Sequence, residues 1–282
     1  MAMVMKDNHS VRLTASVVVH RTPAGQLRRV LRSLAADGVT AVAVVDNSPD
    51  DSLRAVVGES MPGAEYIRTA NRGYGAAHNV VIRKAMAAGA THHLVLNPDV
   101  SWEPGAVPAL LEAMERTPRC GMAAPRIVYP DGRLQYTCRM LPSPLDLILR
   151  RFVPRWIGRR QRRRYLLADW DHGQMADVPY LQGSFMLIAC DALREAGLFD
   201  ERFFMYPEDI DLTRRIHALR PTLYCPEATA VHDHAAASAR SPRMLAIHMV
   251  NMVRYFNKWG WVADGARREA NRRLLRDLGL SR

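Results

Sequence analysis

Carboxylate and amide side chains follow several apolar stretches of this sequence, and the clearest case is Asn97 and Asp99. They come directly after the apolar run 93–96. A buried strand that delivers an oxygen ligand to its exposed end can hold a hard divalent cation, which could in turn hold a diphosphate. Asn, Pro and Asp are also ordinary turn residues. By itself this segment therefore indicates either a turn or a metal site.

Two further polar segments can each be interpreted either as a turn or as part of a ligand site. Asp46 and Asn47 follow an apolar run, and Asp46 could accept a hydrogen bond from a base imide or amide, whereas an Asx-turn explains it equally well. Asn71, Gly73 and Tyr74 belong to a glycine-bearing loop that opens a predicted helix. The free N–H groups of a helix start suit a phosphate or a sugar hydroxyl, and a tight turn is the alternative.

Three carboxylates, from Glu208, Asp209 and Asp211, stand at the start of another predicted helix. The helix macrodipole stabilises negative charge there, and N-terminal capping would justify one or two of them. A helix-start carboxylate that faces a cleft is also well placed to take a proton from a hydroxyl. The segment therefore offers a candidate general base.

Two histidines, His232 and His234, follow the short apolar run 228–231. One of these imidazoles could complete the coordination of a cation held by Asp99. Each polar cluster has an ordinary explanation when it is taken alone. All of them fall after an apolar strand or at a helix start, however, and one shared site explains that common position.

Alternating strands and helices position these clusters through the first hundred residues. The patterns predict strands at 14–20, 41–45 and 64–68 and a fourth ending at Asn97, with helices at 26–36, 52–57 and 76–88. Such alternation implies a mostly parallel sheet with helices on both faces. Ligands of such sheets gather beyond the carboxyl ends of the strands, where the polar clusters lie.

The second half of the chain is less regular. We expect strands at 121–128, 134–137 and 180–190, helices at 106–116, 192–196, 208–219 and 244–258, and a loop or surface helix over 142–177. The predicted organisation is one domain over 11–240 with two halves, 11–100 and 101–240. A basic helical extension follows at 241–282.

Composition limits the class of protein. The 282 residues are 48% hydrophobic, which allows one large α/β core or two smaller ones, and the net charge of +11 implies an anionic partner. The widely spaced Cys120, Cys138, Cys190 and Cys225 favour a reducing compartment. Neither a signal peptide nor a membrane span is predicted. We therefore expect a soluble or peripherally attached cytoplasmic protein.

The segment 150–165 mixes arginines with aromatic and aliphatic residues. This composition is typical of an interfacial anchor on anionic lipid. A solvated loop is the alternative interpretation. An anionic membrane surface, at the inner face of the plasma membrane, and solvent are therefore the two surroundings that this composition allows.

Five ordered blocks of the chain resemble the inverting family 2 glycosyltransferases with the GT-A nucleotide-diphospho-sugar transferase fold, and most of all their rhamnosyltransferase-like branch. The blocks are SVVVH with VVDNSPDD, NRGYGAAHN, LNPDV, LQGSFMLI with FDERFFMYPEDIDL, and AVHDHAAAS. They span about 16–238, and their order and spacing are more specific than any one block. The resemblance implies a Rossmann-like, mostly parallel central sheet with helices on both faces. It also implies that 11–240 is a glycosyltransferase domain, with a nucleotide-sugar-binding half (11–100) and an acceptor and catalytic half (101–240).

The resemblance also implies a role for each candidate residue. Substrate would contact Val18, Asp46, Asn47, Asn71, Gly73, Tyr74, Asn79, Asn97, Gly183 and Ser184. Within that set, Val18 would line the base pocket and Asp46 would recognise the pyrimidine. Asn71, Gly73 and Asn79 would lie near the ribose or diphosphate, and Gly183 and Ser184 would shape the acceptor side.

The remaining implied roles concern catalysis and metal. Asp209 would be the catalytic base, with Glu208 as its neighbour, and Asp99 with His232 or His234 would hold Mg²⁺ or Mn²⁺. Asn97 stands where the family pattern DxD has its first Asp, which removes one negative charge from the metal site. Alanines at 235–237 stand where the family commonly has glycines.

The implied reaction is a single displacement that inverts the anomeric carbon. The first candidate donor is dTDP-rhamnose, and the acceptor is a hydroxyl of a glycan or polyprenyl-diphosphate-linked glycan in cell-wall or O-antigen synthesis. One alternative is a nucleotidyltransferase that forms sugar nucleotides, although the loop after the first strand lacks its glycine-rich pattern. Another alternative is a nucleic-acid-binding protein, but this interpretation does not explain Asp46, Asp99 and Asp209. No nucleic-acid partner is therefore expected.

Overall fold

The computed structural model describes residues 11–154, 156–233 and 242–280, of which the side chains of 148, 150–152 and 243 are not described. Its strands are β1 (Leu13–Val19), β2 (Val42–Asp46), β3 (Glu65–Arg68), β4 (His92–Leu96), β5 (Val100–Ser101), β6 (Met122–Val128), β7 (Cys138–Arg139), β8 (Ala176–Asp177), β9 (Tyr180–Leu181), β10 (Phe185–Ala189) and β11 (Thr222–His232). Its helices are α1 (Ala24–Ala36), α2 (Leu53–Ser60), α3 (Tyr74–Ala87), α4 (Ala106–Arg116), α5 (Pro144–Phe152), α6 (Arg159–Tyr165), α7 (Cys190–Ala196), α8 (Glu208–His217), α9 (Pro242–Trp259) and α10 (Gly265–Asp277).

A central sheet orders its strands β3-β2-β1-β4-β10-β6-β11-β5, with β8 paired to β11. The strands β1 to β4 run parallel, and β6 and β11 share their direction because β10 is antiparallel to both β4 and β6. β10, β5 and β8 run in the opposite direction. The prediction of a mostly parallel central sheet is confirmed.

Helices cover both faces of this sheet, as predicted. Val17 and Val19 of β1 pack in one cluster with Leu27 of α1, whereas Val18 packs with Ala77 of α3. Neighbouring side chains of a strand point to opposite faces. The continuous apolar run of β1 is therefore buried on both sides, as is typical of a central parallel strand.

Two predictions for the second half were wrong in detail. Residues 134–137 do not form a strand beyond a single bridge between Val128 and Leu134, and the nearby strand is β7. The predicted strand 180–190 is divided into β9 and β10. The break lies at Gln182–Ser184, where the backbone N–H of Gly183 bonds to the Asp209 side chain and not to a neighbouring strand.

The C-terminal helices pack against the rest of the chain. Arg214 of α8 forms a bidentate ion pair with Asp264, which precedes α10. The two N–O distances are 2.6 and 2.8 Å. Asn271 of α10 bonds to both backbone groups of Leu141. The predicted boundary at 240/241 lies outside the described residues. None of the helices in the described ranges is both long and apolar enough to cross a membrane.

Candidate active site

The short strand β5 brings Asp99 beside His232. β5 pairs with the end of β11 so that His232 lies opposite Val100, and the N–H of Asp233 donates to the Asp99 carbonyl at 2.9 Å. Asp99 Oδ1 consequently lies 3.2 Å from His232 Nε2. The imidazole and Asp99 Oδ1 are buried, whereas the Asp99 side chain as a whole is 22% exposed. His234 lies outside the described residues.

This pair fits the cation that the resemblance implies. A carboxylate oxygen and an imidazole nitrogen are both acceptable ligands of Mn²⁺, and Mg²⁺ is commonly held by one or two carboxylates together with substrate phosphates. Within the described ranges no three His, Cys, Asp or Glu side chains are arranged so that they could hold a metal ion together. Asp99 and His232 would therefore supply two ligands, leaving the other positions to diphosphate and water.

The backbone of Asn97 links this pair to the acceptor-side block. Its N–H donates to the Ser184 carbonyl at 2.9 Å, where β4 and β10 separate. Ser184 is 2% exposed, and its hydroxyl has no hydrogen-bond partner among the described residues. Two motifs that are distant in sequence are therefore adjacent at the end of the sheet.

Asp209 lies in the first turn of α8 and is fixed by backbone donors. Its Oδ2 accepts from the N–H of Gly183 at 3.0 Å, and its Oδ1 accepts from the N–H of Ile210 at 2.8 Å. Burial raises the pKa of Asp209, while these two donors and the nearby Arg139 guanidinium oppose the rise. The half-buried carboxylate borders a cavity, as a general base must.

Glu208 has a different environment from its neighbour. It is 5% exposed, and it does not line the cavity that Asp209 borders. Burial, followed by the charge of Asp209, raises the pKa of Glu208 well above its usual value. Of the two carboxyl groups, Asp209 is therefore the one that borders the cavity, and mutual repulsion with Glu208 disfavours ionisation of both at once.

Tyr74 connects the two parts of the site. Its hydroxyl donates to the Gly183 carbonyl at 2.6 Å. Its pKa is raised well above the usual value by burial and then by nearby carboxylates, so the hydroxyl keeps its proton. Those carboxylates belong to Glu208, Asp209 and Asp99. The structure thus groups the predicted base, the predicted metal ligand and the predicted acceptor loop around one tyrosine.

The loop 71–75 is docked against the protein and does not form an open phosphate cradle. The N–H of Gly73 donates to Asn71 Oδ1 at 3.2 Å, and the N–H of Tyr74 donates to the Phe204 carbonyl at 2.9 Å. Gly73 has φ 108°, and a Cβ there would collide with the Phe204 backbone. These helix-start N–H groups are therefore already used, which supports the turn interpretation.

The side chain of Asn79 anchors a loop. Its amide nitrogen donates to the Phe199 carbonyl and to Glu201 Oε1, both at 2.9 Å. Its amide oxygen accepts from the Phe199 N–H at 3.1 Å. The side chain is fully buried and holds this loop, and its contact with ribose or diphosphate stays a prediction.

Val18 and Asp46, which the resemblance assigns to the base pocket, are both buried. Val18 is 8% exposed and packs in an apolar cluster with Ala77, so it is a core residue. Asp46 is fully buried and accepts hydrogen bonds from the Ser48 N–H at 2.7 Å and the Tyr66 hydroxyl at 2.6 Å. The Asx-turn interpretation of Asp46 is therefore realised, and recognition of a base stays a prediction.

A shallow surface pocket lies beside this turn, where a nucleotide could enter. Asn47 and Asn71 both contribute to it. The complete lining is Asn47, Ser48, Pro49, Arg68, Thr69, Ala70 and Asn71. It lies beyond the carboxyl ends of β2 and β3, which is the position expected for a nucleotide in an open α/β sheet.

A cavity of about 360 Å³ adjoins Asp209, and most of its lining was not predicted. The lining is Tyr129, Gln135, Tyr136, Arg139, Leu147, Tyr165, Tyr180, Gln182, Tyr206, Pro207, Asp209, Ile210, Met244, Leu245, His248 and Met252. Arg139 is 9% exposed, and its guanidinium donates to Gln182 Oε1 at 3.2 Å and to the Tyr180 hydroxyl at 3.5 Å. Aromatic faces with amides and a buried cation suit a polar substrate such as a sugar.

Sequence patterns did not reveal these cavity residues because they come from several loops and helices. Gln135 lies in the segment 134–137, which was predicted as a strand but forms only a single bridge, and Arg139 belongs to the two-residue strand β7. Arg139 could have been noticed as an isolated cation next to an apolar run. For Gln135, which contacts His232, the sequence contains no comparable signal.

Comparisons with known proteins place this chain among enzymes that transfer sugars. A family model described as Glycosyl transferase family 2 matches residues 16–195. The chain is 34% identical over 251 residues to N-acetylglucosaminyl-diphospho-decaprenol L-rhamnosyltransferase of Mycobacterium tuberculosis, covering 82% of this chain and 80% of that relative. The chain belongs to glycosyltransferase family 2, and it is an enzyme of the rhamnosyltransferase-like branch.

A second relative and a solved structure agree with this assignment. Rhamnosyltransferase WbbL of Escherichia coli is 23% identical over 223 residues, covering 77% of this chain and 81% of the relative. The crystal structure of GalNAc-T7 with UDP, GalNAc and Mn²⁺ matches with a TM-score of 0.59 at 14% identity, covering 80% of this chain and 44% of that one. The latter likeness shows the GT-A fold alone. The family assignment removes the nucleotidyltransferase and nucleic-acid-binding alternatives.

Proposed function

We propose that this protein transfers L-rhamnose from a nucleotide diphosphate donor, dTDP-rhamnose in the first instance, to a hydroxyl of a polyprenyl-diphosphate-linked glycan. The observation that carries the proposal is the position of Asp209, which is fixed by two backbone donors at the wall of a sugar-sized cavity. The similarity to the rhamnosyltransferase of Mycobacterium tuberculosis supports the choice of donor and acceptor. The product would enter cell-surface polysaccharide.

The chemical step is a single displacement. Asp209 takes the proton of the acceptor hydroxyl as that oxygen attacks the anomeric carbon of the donor. The bond from this carbon to the diphosphate oxygen breaks, its electron pair leaves with the nucleoside diphosphate, and the configuration at carbon inverts.

The residues at the end of β4 and β11 serve the leaving group. Asp99 and His232 would hold Mg²⁺ or Mn²⁺, which when bound supplies positive charge to the departing diphosphate. Asn97 contributes no charge there. Tyr74 and Gly183 fix the geometry between this cation site and Asp209, since the tyrosine hydroxyl bonds to the Gly183 carbonyl.

The proposed function is tested by a donor panel with a defined acceptor. Purified protein would be incubated with Mn²⁺, a short-chain polyprenyl-diphosphate GlcNAc, and dTDP-rhamnose, UDP-galactose, UDP-GlcNAc or GDP-mannose in separate reactions. We expect one deoxyhexose to be added from dTDP-rhamnose, detected by mass spectrometry, with inverted anomeric configuration by NMR. Transfer from another donor, with none from dTDP-rhamnose, would contradict the choice of sugar.

We further infer that the protein works at the inner face of the plasma membrane, where such an acceptor is anchored. The cavity is flanked by α5 and α9, through Leu147 and Met252. Apolar side chains are exposed on α9 and just after α5, namely Val250 at 51% and Trp156 at 72%. The four cysteines are free and buried, which agrees with a reducing compartment.

The basic segment 150–165 adds positive charge to the proposed membrane-facing surface. Residue 155 and the side chains of 150–152 lie outside the described part, but Arg159, Arg160 and Arg164 are exposed on α6. None of these three forms an ion pair with a described carboxylate, so their charges are available to anionic lipid. Each basic residue near such a surface contributes about 1 kcal/mol to binding.

Vesicle sedimentation tests this location. We expect binding to phosphatidylglycerol vesicles at low salt and little binding to phosphatidylcholine. Triple replacement of Arg159, Arg160 and Arg164 by Glu should abolish binding. The matched control replaces Arg32, Arg194 and Arg276, exposed on α1, α7 and α10, with Glu and should retain most of the binding. Equal loss in both variants would show that only net charge matters.

A further inference from the structure

Gln135 makes two hydrogen bonds to the same histidine. Its Nε2 donates to the backbone carbonyl of His232 at 2.7 Å, and its Oε1 lies 3.0 Å from His232 Nδ1. Of the two amide atoms, the nitrogen alone can donate to a carbonyl, so the orientation of the amide is determined. Oε1 therefore faces the ring, and because Oε1 can only accept, Nδ1 carries the proton.

The other ring nitrogen faces the proposed cation site. A neutral imidazole carries one N–H, so protonation of Nδ1 leaves a lone pair on Nε2. Nε2 lies 3.2 Å from Asp99 Oδ1. A divalent cation binds the ring in this neutral tautomer through the Nε2 lone pair, and Asp99 Oδ1 would bind the same cation.

We propose that Gln135 is a positioning residue for the divalent cation, because it selects the His232 tautomer whose Nε2 can bind metal beside Asp99. The proposal rests on the metal-assisted transfer described above and adds to it a residue outside the sequence motifs. Gln135 is 7% exposed, so water competes little for its two hydrogen bonds. Groups that orient a metal-bound histidine in this way contribute 10–100-fold to metal affinity in other proteins.

Gln135 also lines the cavity beside Asp209, so loss of activity alone would not identify its role. The binding of Mn²⁺ to the full-length protein without nucleotide sugar separates the two roles, measured by titration calorimetry and by electron paramagnetic resonance of free Mn²⁺. We expect Gln135→Leu to weaken Mn²⁺ binding at least 10-fold. Gln182→Leu, which alters another cavity amide, should bind Mn²⁺ as the wild type does.

The tautomer is read directly by ¹⁵N NMR of the His232 ring in metal-free protein. The wild type should show protonated Nδ1 and unprotonated Nε2, and Gln135→Leu should lose this preference. Gln135→Glu keeps an acceptor for Nδ1–H but loses the donor to the His232 carbonyl. It should therefore retain the tautomer and bind Mn²⁺ within a few-fold of the wild type.

Three results would overturn the proposal. Gln135→Leu could keep the wild-type tautomer and Mn²⁺ affinity, or Gln135→Glu could lose affinity while keeping the tautomer, which would indicate a purely structural role. Asp99→Ala could also bind Mn²⁺ as the wild type does. That last result would show that the proposed metal site itself is wrong, whereas Mn²⁺ binding that depends on Asp99 but not on Gln135 would leave the proposed function intact.

Discussion

Gly183 donates its backbone N–H to Asp209 Oδ2 at 3.0 Å, and this hydrogen bond joins two motifs that are 26 residues apart. A Cβ at position 183 would lie 3.0 Å from the Asp209 Cβ and 3.6 Å from its Oδ2, so glycine lets the carboxylate approach the backbone. The Ile210 N–H holds the other oxygen at 2.8 Å. The carboxylate is therefore fixed before any acceptor arrives.

Replacement of Asp209 by Asn should lower kcat by about 10²–10⁴-fold, since the amide cannot take a proton from the acceptor hydroxyl. Donor binding, measured by calorimetry with the nucleoside diphosphate, should be nearly unchanged. Glu208→Gln is the matched control because Glu208 is buried and does not line the cavity, and its kcat should fall by less than about 10-fold. Substantial residual turnover in Asp209→Asn would refute the assignment of the base.

Replacement of Gly183 by Ala should displace the Asp209 carboxylate, because the added methyl meets the Asp209 Cβ. We expect kcat to fall while KM for the donor changes little, with a stability loss of about 1–3 kcal/mol from overpacking. Gly58→Ala provides a control, since a Cβ there meets nothing within 4 Å. Wild-type kcat in Gly183→Ala would show that this hydrogen bond does not position the base.

Removal of the Arg139 charge should change the pH dependence of transfer. Burial raises the pKa of Asp209, and the Arg139 guanidinium opposes that rise. The base acts in its ionised form, so Arg139→Met should move the acidic limb of the kcat/KM profile to higher pH. Arg139→Lys keeps the positive charge and should move it less. If the acidic limb of Arg139→Met stays at the wild-type pH, Arg139 does not influence the ionisation of Asp209.

Disruption of the buried pair between Arg214 and Asp264 should release the C-terminal helices from α8. Their side chains are 5% and 3% exposed, and Arg214 also stacks 4.0 Å from the centre of the Trp259 ring. Asp264→Ala should cost about 3–5 kcal/mol in urea unfolding, because it leaves a buried charge unpaired. Glu269→Ala breaks an exposed pair with Arg272 and should cost at most about 1 kcal/mol. Similar small losses in both would show that the buried pair is not needed.

Most of the first half of the fold could be predicted from the sequence. Runs such as 42–45 are continuous and β-branched, and each is followed by a polar turn and then a helical period, so strand and helix types are clear. The second half was less predictable. Tyr180–Leu181 and Phe185–Ala189 form one apolar stretch in the sequence, and the contact of Gly183 with Asp209 divides it.

The gathering of polar side chains at one edge of the sheet could be predicted, but the packing of each side chain could not. Polar residues at strand ends gather because parallel strands present their carboxyl ends at one edge of the sheet. Asn79 and Val18 belong to the same motifs, yet both are turned into the protein interior. A motif records which residues occur together, whereas exposure depends on which helix packs over them.

The sequence alone determined that an apolar strand ends at Asn97 and Asp99 and that carboxylates open a later helix, since local periodicity and composition suffice for both. The tertiary structure decided that Asp99 meets His232, because β5 pairs with the end of β11. It also decided that Asp209 borders the cavity while Glu208 is buried. Adjacent residues on a helix point about 100° apart, and only packing determines which of the two faces a ligand.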